Sequence, residues 1–381
     1  MVDSRSKILH VITGLGQGGA EATLFRVVSN TTDQFEHTVV SLSCEDYYAE
    51  KLNTLGVKVH LVRISGVFPI FQFIKLCWII LITKPILVQT WLYKADIFGG
   101  IAAKLMLKKV VWNLRSGLLN PTASISANLM LRLCGILSHF VPDSIIACAY
   151  SIVDYHSKFL YKVEKVVVIQ NGLDFERFSF SFAGRKFFRS KWSISESDLV
   201  LGFVARFHSQ KDHLTLLKAY KIVAARVLNL KLVLVGNGLS NSNLALIEWL
   251  NELGILENVI LAGPEDNIPG VMSALDIHVS SSVFGEAFPN VILESMACGT
   301  IAVSTDVGDA RFIISDSKFV CMPQDPDLLA GAISDCINYW RLEKDKMLRE
   351  DVKRKVENFS IENTCKKYAD LWNSFSNQDD K

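Results

Sequence analysis

Short β-branched runs alternate with helical patterns along nearly the whole chain. "KILHVIT", "HTVVSLS", "VKVHLVRI", "ILVQTWL", "KVVWNLR", "SIIACA" and "KVVVIQNG" are separated by stretches such as "AEATLFRVVSN" and "ADIFGGIAAKLML". Parallel strands need crossover connections and leave no face for water, so this alternation dictates parallel sheets covered by helices on both sides. The pattern breaks between Asp174 and Ser197 into polar and aromatic sequence, then resumes from "LVLGFVAR" to "FVCMP". A chain of 381 residues has room for two cores. The expectation is α/β: two tandem Rossmann-like, doubly wound domains over residues 1–174 and 198–358, with an interdomain connection over 175–197. Residues 359–381 read as a closing amphipathic helix, with Cys365, Tyr368, Leu371, Trp372 and Phe375 on one face, expected to pack back on the first domain.

Global charge is nearly balanced, 40 Lys plus Arg against 39 Asp plus Glu, and by itself excludes neither nucleic acid nor another anionic partner, though no nucleic-acid partner is expected. Local charge is not balanced. From Leu61 to Pro142 nine Lys or Arg face Asp96 alone, a net of +8, so that segment is expected beside something negative. Its most apolar part, residues 68–88, is interrupted by Lys75, Lys84 and Pro85, and its uncharged core falls far short of the roughly 20 residues of a membrane span. Peripheral contact with an anionic membrane is weighed against a plain buried helix. The eight cysteines show no C-x-x-C pair, and no leader-like apolar run opens the chain, so a reduced, cytoplasmic location is expected.

Three loops carry the chemistry. In the first βα turn, "GLGQGGAE", Gly14, Gly16 and Gly19 satisfy G-x-G-x-x-G after a strand. The acid that a dinucleotide site wants on the second strand is offered only by Glu45, several residues late, which weighs against a nicotinamide or flavin cofactor. Gly18 and Gly19 instead let backbone approach phosphate or sugar oxygens at a helix start; a turn needed only for packing is the bland alternative. In "VARFHSQKDH", Arg206 and Lys211 share one βα loop at the carboxyl edge of a sheet, where two cations suit a diphosphate. In "GEAFPNVILESMACGT", Glu286 lies in a loop and Glu294 on the helix that Pro289 opens, a pairing suited to a ligand rich in hydroxyls and phosphate. No metal-binding spacing, nucleophile elbow or Walker loop occurs.

Taken in order, these segments resemble retaining glycosyltransferases of family four, in the two-domain class called GT-B. "GGAE" is similar to the family's Gly-Gly-x-Glu loop, "IQNGLD" to its interdomain segment, "ARFHSQKD" to its Arg…Lys pair and "GEAFPNVILESMACGT" to its paired-glutamate signature. The resemblance implies two domains facing across a cleft and transfer of a sugar from a nucleotide-diphosphate donor with retained configuration. The acceptor it implies is a glycan or a lipid-linked glycan of bacterial surface polysaccharide synthesis. Glu294 would bind the donor ribose and Glu286 the transferred sugar, with backbone N–H groups near Phe288, Asn290 and Val291 joining Arg206 and Lys211 on the diphosphate. No cofactor or metal at the reaction centre is implied. Glu21 falls in the family's amino-terminal loop. Where members often carry histidines after the fourth and fifth strands, this chain reads "VQTWLYKAD" and "VWNLRSG"; the second place carries over to Arg115, and Trp91 and Tyr93 are left as acceptor-stacking residues. Gln170 replaces a usual proline, which is expected to loosen the hinge. A GT-B-fold epimerase or phosphorylase and a catalytically silent nucleotide-sugar-binding protein remain as rivals.

Overall fold

The computed structural model describes residues 5–64, 70–115, 125–342 and 346–376. The chain forms two compact units, residues 1–172 with 361–381, and residues 173–360.

In the first unit, strands β1 (Ser6–Ile12), β2 (Phe35–Ser41), β3 (Lys58–Leu61), β4 (Leu87–Trp91), β5 (Lys109–Leu114), β6 (Ser144–Ala147) and β7 (Val166–Val168) alternate with helices. The helices are α1 (Gly19–Ser29), α2 (Tyr47–Thr54), α3 (Ile70–Thr83), α4 (Tyr93–Leu105), α5 (Ile125–Leu137) and α6 (Tyr150–Ser157). The sheet is parallel, in the order β3-β2-β1-β4-β5-β6-β7. The reversal beside β1 makes it doubly wound, and such sheets hold ligands outside the carboxyl ends of their strands.

The second unit opens with α7 (Phe182–Lys191) and continues with β8 (Leu199–Val204), α8 (His213–Ala224), β9 (Leu230–Val235), α9 (Leu244–Leu253), β10 (Val259–Gly263), α10 (Ile268–Ala274) and β11 (Ile277–Ser280). Then follow α11 (Asn290–Ala297), β12 (Ile301–Thr305), α12 (Ala310–Ile314), β13 (Val320–Cys321), α13 (Pro326–Leu342) and α14 (Lys346–Arg354). Its sheet, in the order β10-β9-β8-β11-β12-β13, is parallel as well.

The last helix, α15 (Ile361–Ser376), belongs to the first unit. It buries Ile361, Thr364, Cys365, Tyr368, Ala369, Trp372 and Phe375, a stripe at helical spacing. Leu371 stays only partly buried at the edge of that core. Strands facing this helix carry polar side chains that bond to it: the Trp372 indole donates to Gln89 Oε1 at 2.7 Å, and Asn113 Nδ2 donates to the Tyr368 hydroxyl at 2.8 Å. Gly172 allows the start of the helix to come close, since a Cβ there would lie 2.7 Å from the Ile361 Cα. Gln170 is held rather than loose, its carbonyl accepting from Thr364 Oγ1 and its side chain from Lys367.

The stretch 175–197 is more than a connection. It contains α7, capped by Ser181 Oγ accepting from the Gly184 N–H at 3.0 Å, and that helix packs on α10. Arg185 and Arg189, one turn apart, both reach Asp276 ahead of β11, at 3.0 and 2.7 Å. The absence of a strand period did mark non-strand sequence; the helix was hidden because its fixing partner lies far along the chain.

Candidate active site

In the second unit, the loop after β8 carries Arg206, which is exposed, and ends in a turn that brings Lys211 to Asp212. Asp212 caps α8 by accepting from the Thr215 N–H at 3.2 Å, in a left-handed backbone conformation. The Lys211 ammonium donates to Glu286 Oε1, joining two groups that sequence alone treats separately. Ser282 Oγ donates to the same oxygen at 3.1 Å, and Gln210 Nε2 approaches it at 3.5 Å. Neither Ser282 nor Gln210 was singled out by sequence reasoning; the only available signal was that Gln210 stands beside Lys211.

Glu286 lies in the loop before α11, as the sequence suggested. Pro289 is the residue just ahead of that helix rather than inside its first turn, and Asn290 begins it. Asn290 and Val291 therefore lie in the first turn of the helix, the end whose dipole favours anions. Phe288 is buried and packs edge-on against Phe359, which anchors the loop. Glu294 sits in the middle of α11, half-buried, close enough to Cys298 to raise that thiol alongside burial, the larger cause, which lifts it to about 12. His278, wholly buried on β11, is held neutral down to about 3, by burial first and by Lys211 second. A cavity of about 240 Å³ opens between the carboxyl ends of β8, β9 and β10, walled by Arg206, Asn237, Pro264, Glu265 and Ile268.

In the first unit, α1 starts at Gly19, with Gly18 in extended backbone as its cap. The glycine turn is crowded by carboxylates. A Cβ on Gly14 or Gly16 would meet Glu45 Oε2 at 2.9 or 2.6 Å, and one on Gly18 would meet Glu21 Oε2 at 2.2 Å. Gly19 faces open space. Glu21 is raised above the ordinary carboxylate range, by burial chiefly and by Glu45 in smaller part. Arg115, at the end of β5, donates to Thr23 Oγ1 at 2.7 Å and to Asn171 Oδ1, and its guanidinium lies 5.8 Å from the Trp91 ring. Leu92, between β4 and α4, is held at φ 73° and ψ 154°, a region open almost only to glycine, and such strain concentrates at functional sites.

Trp91 corrects the sequence reading. It is fully buried, stacked on Tyr368 and donating to His10 Nδ1 at 3.3 Å, so it is core and offers no face to an acceptor. Alternation cannot tell which side of a strand a helix 280 residues later will cover. Tyr93 is partly buried, and its hydroxyl is engaged with His156 Nε2 at 2.9 Å.

Among known proteins, residues 184–355 match the family described as Glycosyl transferases group 1. The chain is 25% identical over 316 residues to the putative glycosyltransferase EpsF of Bacillus subtilis, covering 80% of each. It is 23% identical to an Escherichia coli UDP-Gal:alpha-D-GlcNAc-diphosphoundecaprenol alpha-1,3-galactosyltransferase, covering 97% of each. In fold it is similar to the crystal structure of Anabaena Alr3699/HepE in complex with UDP, with a TM-score of 0.85 at 21% identity, over 97% of this chain and 100% of that one. Two Rossmann-like units in tandem, the ordered motif set and these likenesses agree: the chain is a glycosyltransferase with the GT-B fold, and its residues 184–355 match the group 1 family.

Proposed function

We propose that the protein moves a sugar from a uridine diphosphate donor to a lipid-linked glycan, with retention of anomeric configuration, as a peripheral protein at the inner face of the membrane in surface polysaccharide synthesis. The observation that carries this is the Lys211–Glu286 pair, with Arg206 and the start of α11 on the same sheet edge. A cation for the departing diphosphate sits one hydrogen bond from a carboxylate able to grip sugar hydroxyls, so the bond to be broken falls between them. Preorganised charge of this kind stabilises a leaving diphosphate without solvent reorganisation.

The donor diphosphate takes Arg206, Lys211 and the N–H groups at Phe288, Asn290 and Val291. Glu294 takes the ribose diol, and the base enters the cavity beside Pro264 and Glu265. Gly18 and Gly19 bind the donor, Arg115 acts in catalysis and Glu21 serves the acceptor. The UDP held by the Anabaena structure and the diphosphoundecaprenol acceptor of the Escherichia coli enzyme support the choice of base and acceptor. No metal takes part at the reaction centre in this proposal, so turnover in excess chelator is expected to equal turnover without it.

The test is transfer from a panel of UDP-sugars to a polyprenyl-diphosphate-linked sugar, with the product's anomeric proton read by NMR. Retention is expected, and an inverted centre removes the mechanism. A protein that bound UDP-sugar but neither transferred nor slowly hydrolysed it would be the silent binder instead.

A further inference from the structure

Helix α3 is apolar on two faces. Leu76, Ile79 and Ile80 are buried, while Phe71, Ile74, Trp78, Leu81 and Ile82 are half exposed or more, Phe71 at 85%. Their spacing aligns the exposed five in one stripe along the helix. Helix α4 packs beside α3 and α5 beside α4, and α5 adds Leu129 and Ile136 to the exposed apolar surface. Patches of this kind mark interaction sites.

Two open cavities adjoin at the amino-terminal end of that stripe. One, of about 510 Å³, is walled by Ser43 and Glu45 after β2, Arg63 after β3 and Lys94 on α4. The other, of about 340 Å³, is walled by Leu61, Arg63, Phe71 and Lys75. Arg63 lines both, which makes one path from the sheet's carboxyl edge to the stripe. Lys94 donates to the Ile64 carbonyl at 2.6 Å, which fixes its ammonium at the wall and leaves two N–H groups without a partner among the described residues. Arg63 and Lys75 enter no ion pair among the described residues. The one acid between Leu61 and Pro142, Asp96, is buried and bonded to Thr90 Oγ1, so it neutralises none of these cations. Glu45 turns toward Gly14 and Gly16, at the sheet edge.

Along this path the chemistry runs from a carboxylate and a hydroxyl, through three cations, to hydrocarbon. A sugar joined through diphosphate to a lipid has the same order: hydroxyls, phosphates, chain. We infer that Arg63, Lys75 and Lys94 bind the diphosphate of the lipid-linked acceptor, and that the exposed stripe of α3 takes its hydrocarbon chain in the membrane surface. This rests on the lipid-linked acceptor proposed above and adds the place where it docks. Guanidinium and ammonium groups recognise phosphate by charge-assisted hydrogen bonds, whereas exposed leucine, isoleucine and aromatic side chains reward only burial.

The experiment is flotation of the full chain with phosphatidylcholine vesicles that are plain, doped with a long-chain polyprenyl diphosphate, or doped with phosphatidylglycerol to equal charge. Wild type is expected to bind the polyprenyl diphosphate vesicles at least tenfold more tightly than either other kind. Arg63→Ala with Lys75→Ala should abolish that preference while keeping wild-type affinity for UDP, which also checks folding; Arg63→Gln alone should lose part of it. Phe71→Ser with Trp78→Ser should weaken binding to all three vesicles by tenfold or more. Equal binding to both anionic vesicles, full competition by inorganic diphosphate at equal concentration, or an unchanged preference in the double cation variant would each overturn the inference. Transfer to a lipid-linked acceptor at wild-type kcat/KM by Arg63→Ala/Lys75→Ala would sink this site and leave the proposed function standing. Failure of the wild type to use any lipid-linked acceptor, with the vesicle preference intact, would do the reverse.

Discussion

Removing Glu286 changes Lys211 as well, because the two share one hydrogen bond and both are mostly buried. Glu286→Gln leaves a full cation beside the diphosphate position, so UDP affinity is expected to hold or rise while turnover falls by a factor on the order of 10² or more, the loss of a contact to the transferred sugar alone. Arg206→Ala lacks that compensation and is expected to weaken UDP at least about tenfold, a charge-assisted bond being worth roughly 1.5 to 3 kcal/mol. Glu294→Gln should weaken UDP and donor together. Calorimetric titration with UDP beside steady-state transfer separates the three profiles; identical profiles for the two glutamates would dissolve their division of labour. At this scale the sequence exposed what lies within a loop: the charge, order and spacing of Arg206, Lys211, Glu286 and Glu294. It could not expose the pairing of Lys211 with Glu286, which depends on two loops 75 residues apart meeting at one sheet edge. Nor could it show that Trp91 is core, because the side chain at a strand's end answers to the helix that covers it.

Among the elements, α7 shows how a helix made from unpromising sequence is held. Its mean hydropathy is low, yet Arg189 is almost wholly buried, donating to the Ala274 and Ser195 carbonyls at 3.1 and 2.9 Å as well as to Asp276. Burial pulls the Arg189 guanidinium below its usual range, and Asp276 pushes it back up. A buried pair contributes little compared with a hydrophobic replacement, but breaking it from one side strands a charge. Asp276→Ala would strand Arg189 and Arg185 together and also remove the acceptor of the Val200 N–H, 2.9 Å away. A destabilisation of about 3–5 kcal/mol is expected, read as the shift of the second unit's urea midpoint by hydrogen exchange; less than about 1 kcal/mol would mean water already reaches the pair. The α15 stripe was legible because it is local and periodic. The Arg185–Asp276–Arg189 clamp was not, because nothing within 182–191 announces a carboxylate some 90 residues away.

Across the whole molecule, the two-sheet plan was the most legible feature, since parallel sheets impose their alternation on every segment. What sequence could not disclose is how many histidines the two cores hold uncharged, and this makes both units sensitive to acid. In the second unit, burial depresses His213 to about 4, with smaller contributions from Lys211 and His208, and depresses His278 to about 3. Both ring nitrogens of His278 lack a hydrogen-bond partner among the described residues, so a proton there would find no acceptor. Each group binds its proton near pH 6.5 when unfolded and only near 3 or 4 when folded, so its full stabilisation is present above pH 6.5 and is lost as pH falls from there toward the folded value. By linkage each costs about 2 kcal/mol at pH 5 relative to pH 8, or about 4 kcal/mol for the pair. In the first unit, His37 and His156 are also held near 4 by burial, and burial lowers His60 and, further still, His10. They are opposed there by Asp96, which burial raises well above its ordinary value. A carboxyl that keeps its proton in the folded state gains stability as pH falls, which offsets part of that loss. Urea unfolding followed by hydrogen exchange at pH 8 and pH 5, which reads the units separately, is therefore expected to show the second unit losing about 4 kcal/mol on acidification. His278→Leu should reduce its loss by about 2 kcal/mol. A second unit that loses nothing between pH 8 and pH 5, or a His278→Leu variant as acid-sensitive as wild type, would mean that these imidazoles take up protons in place and that the core around β11 admits water.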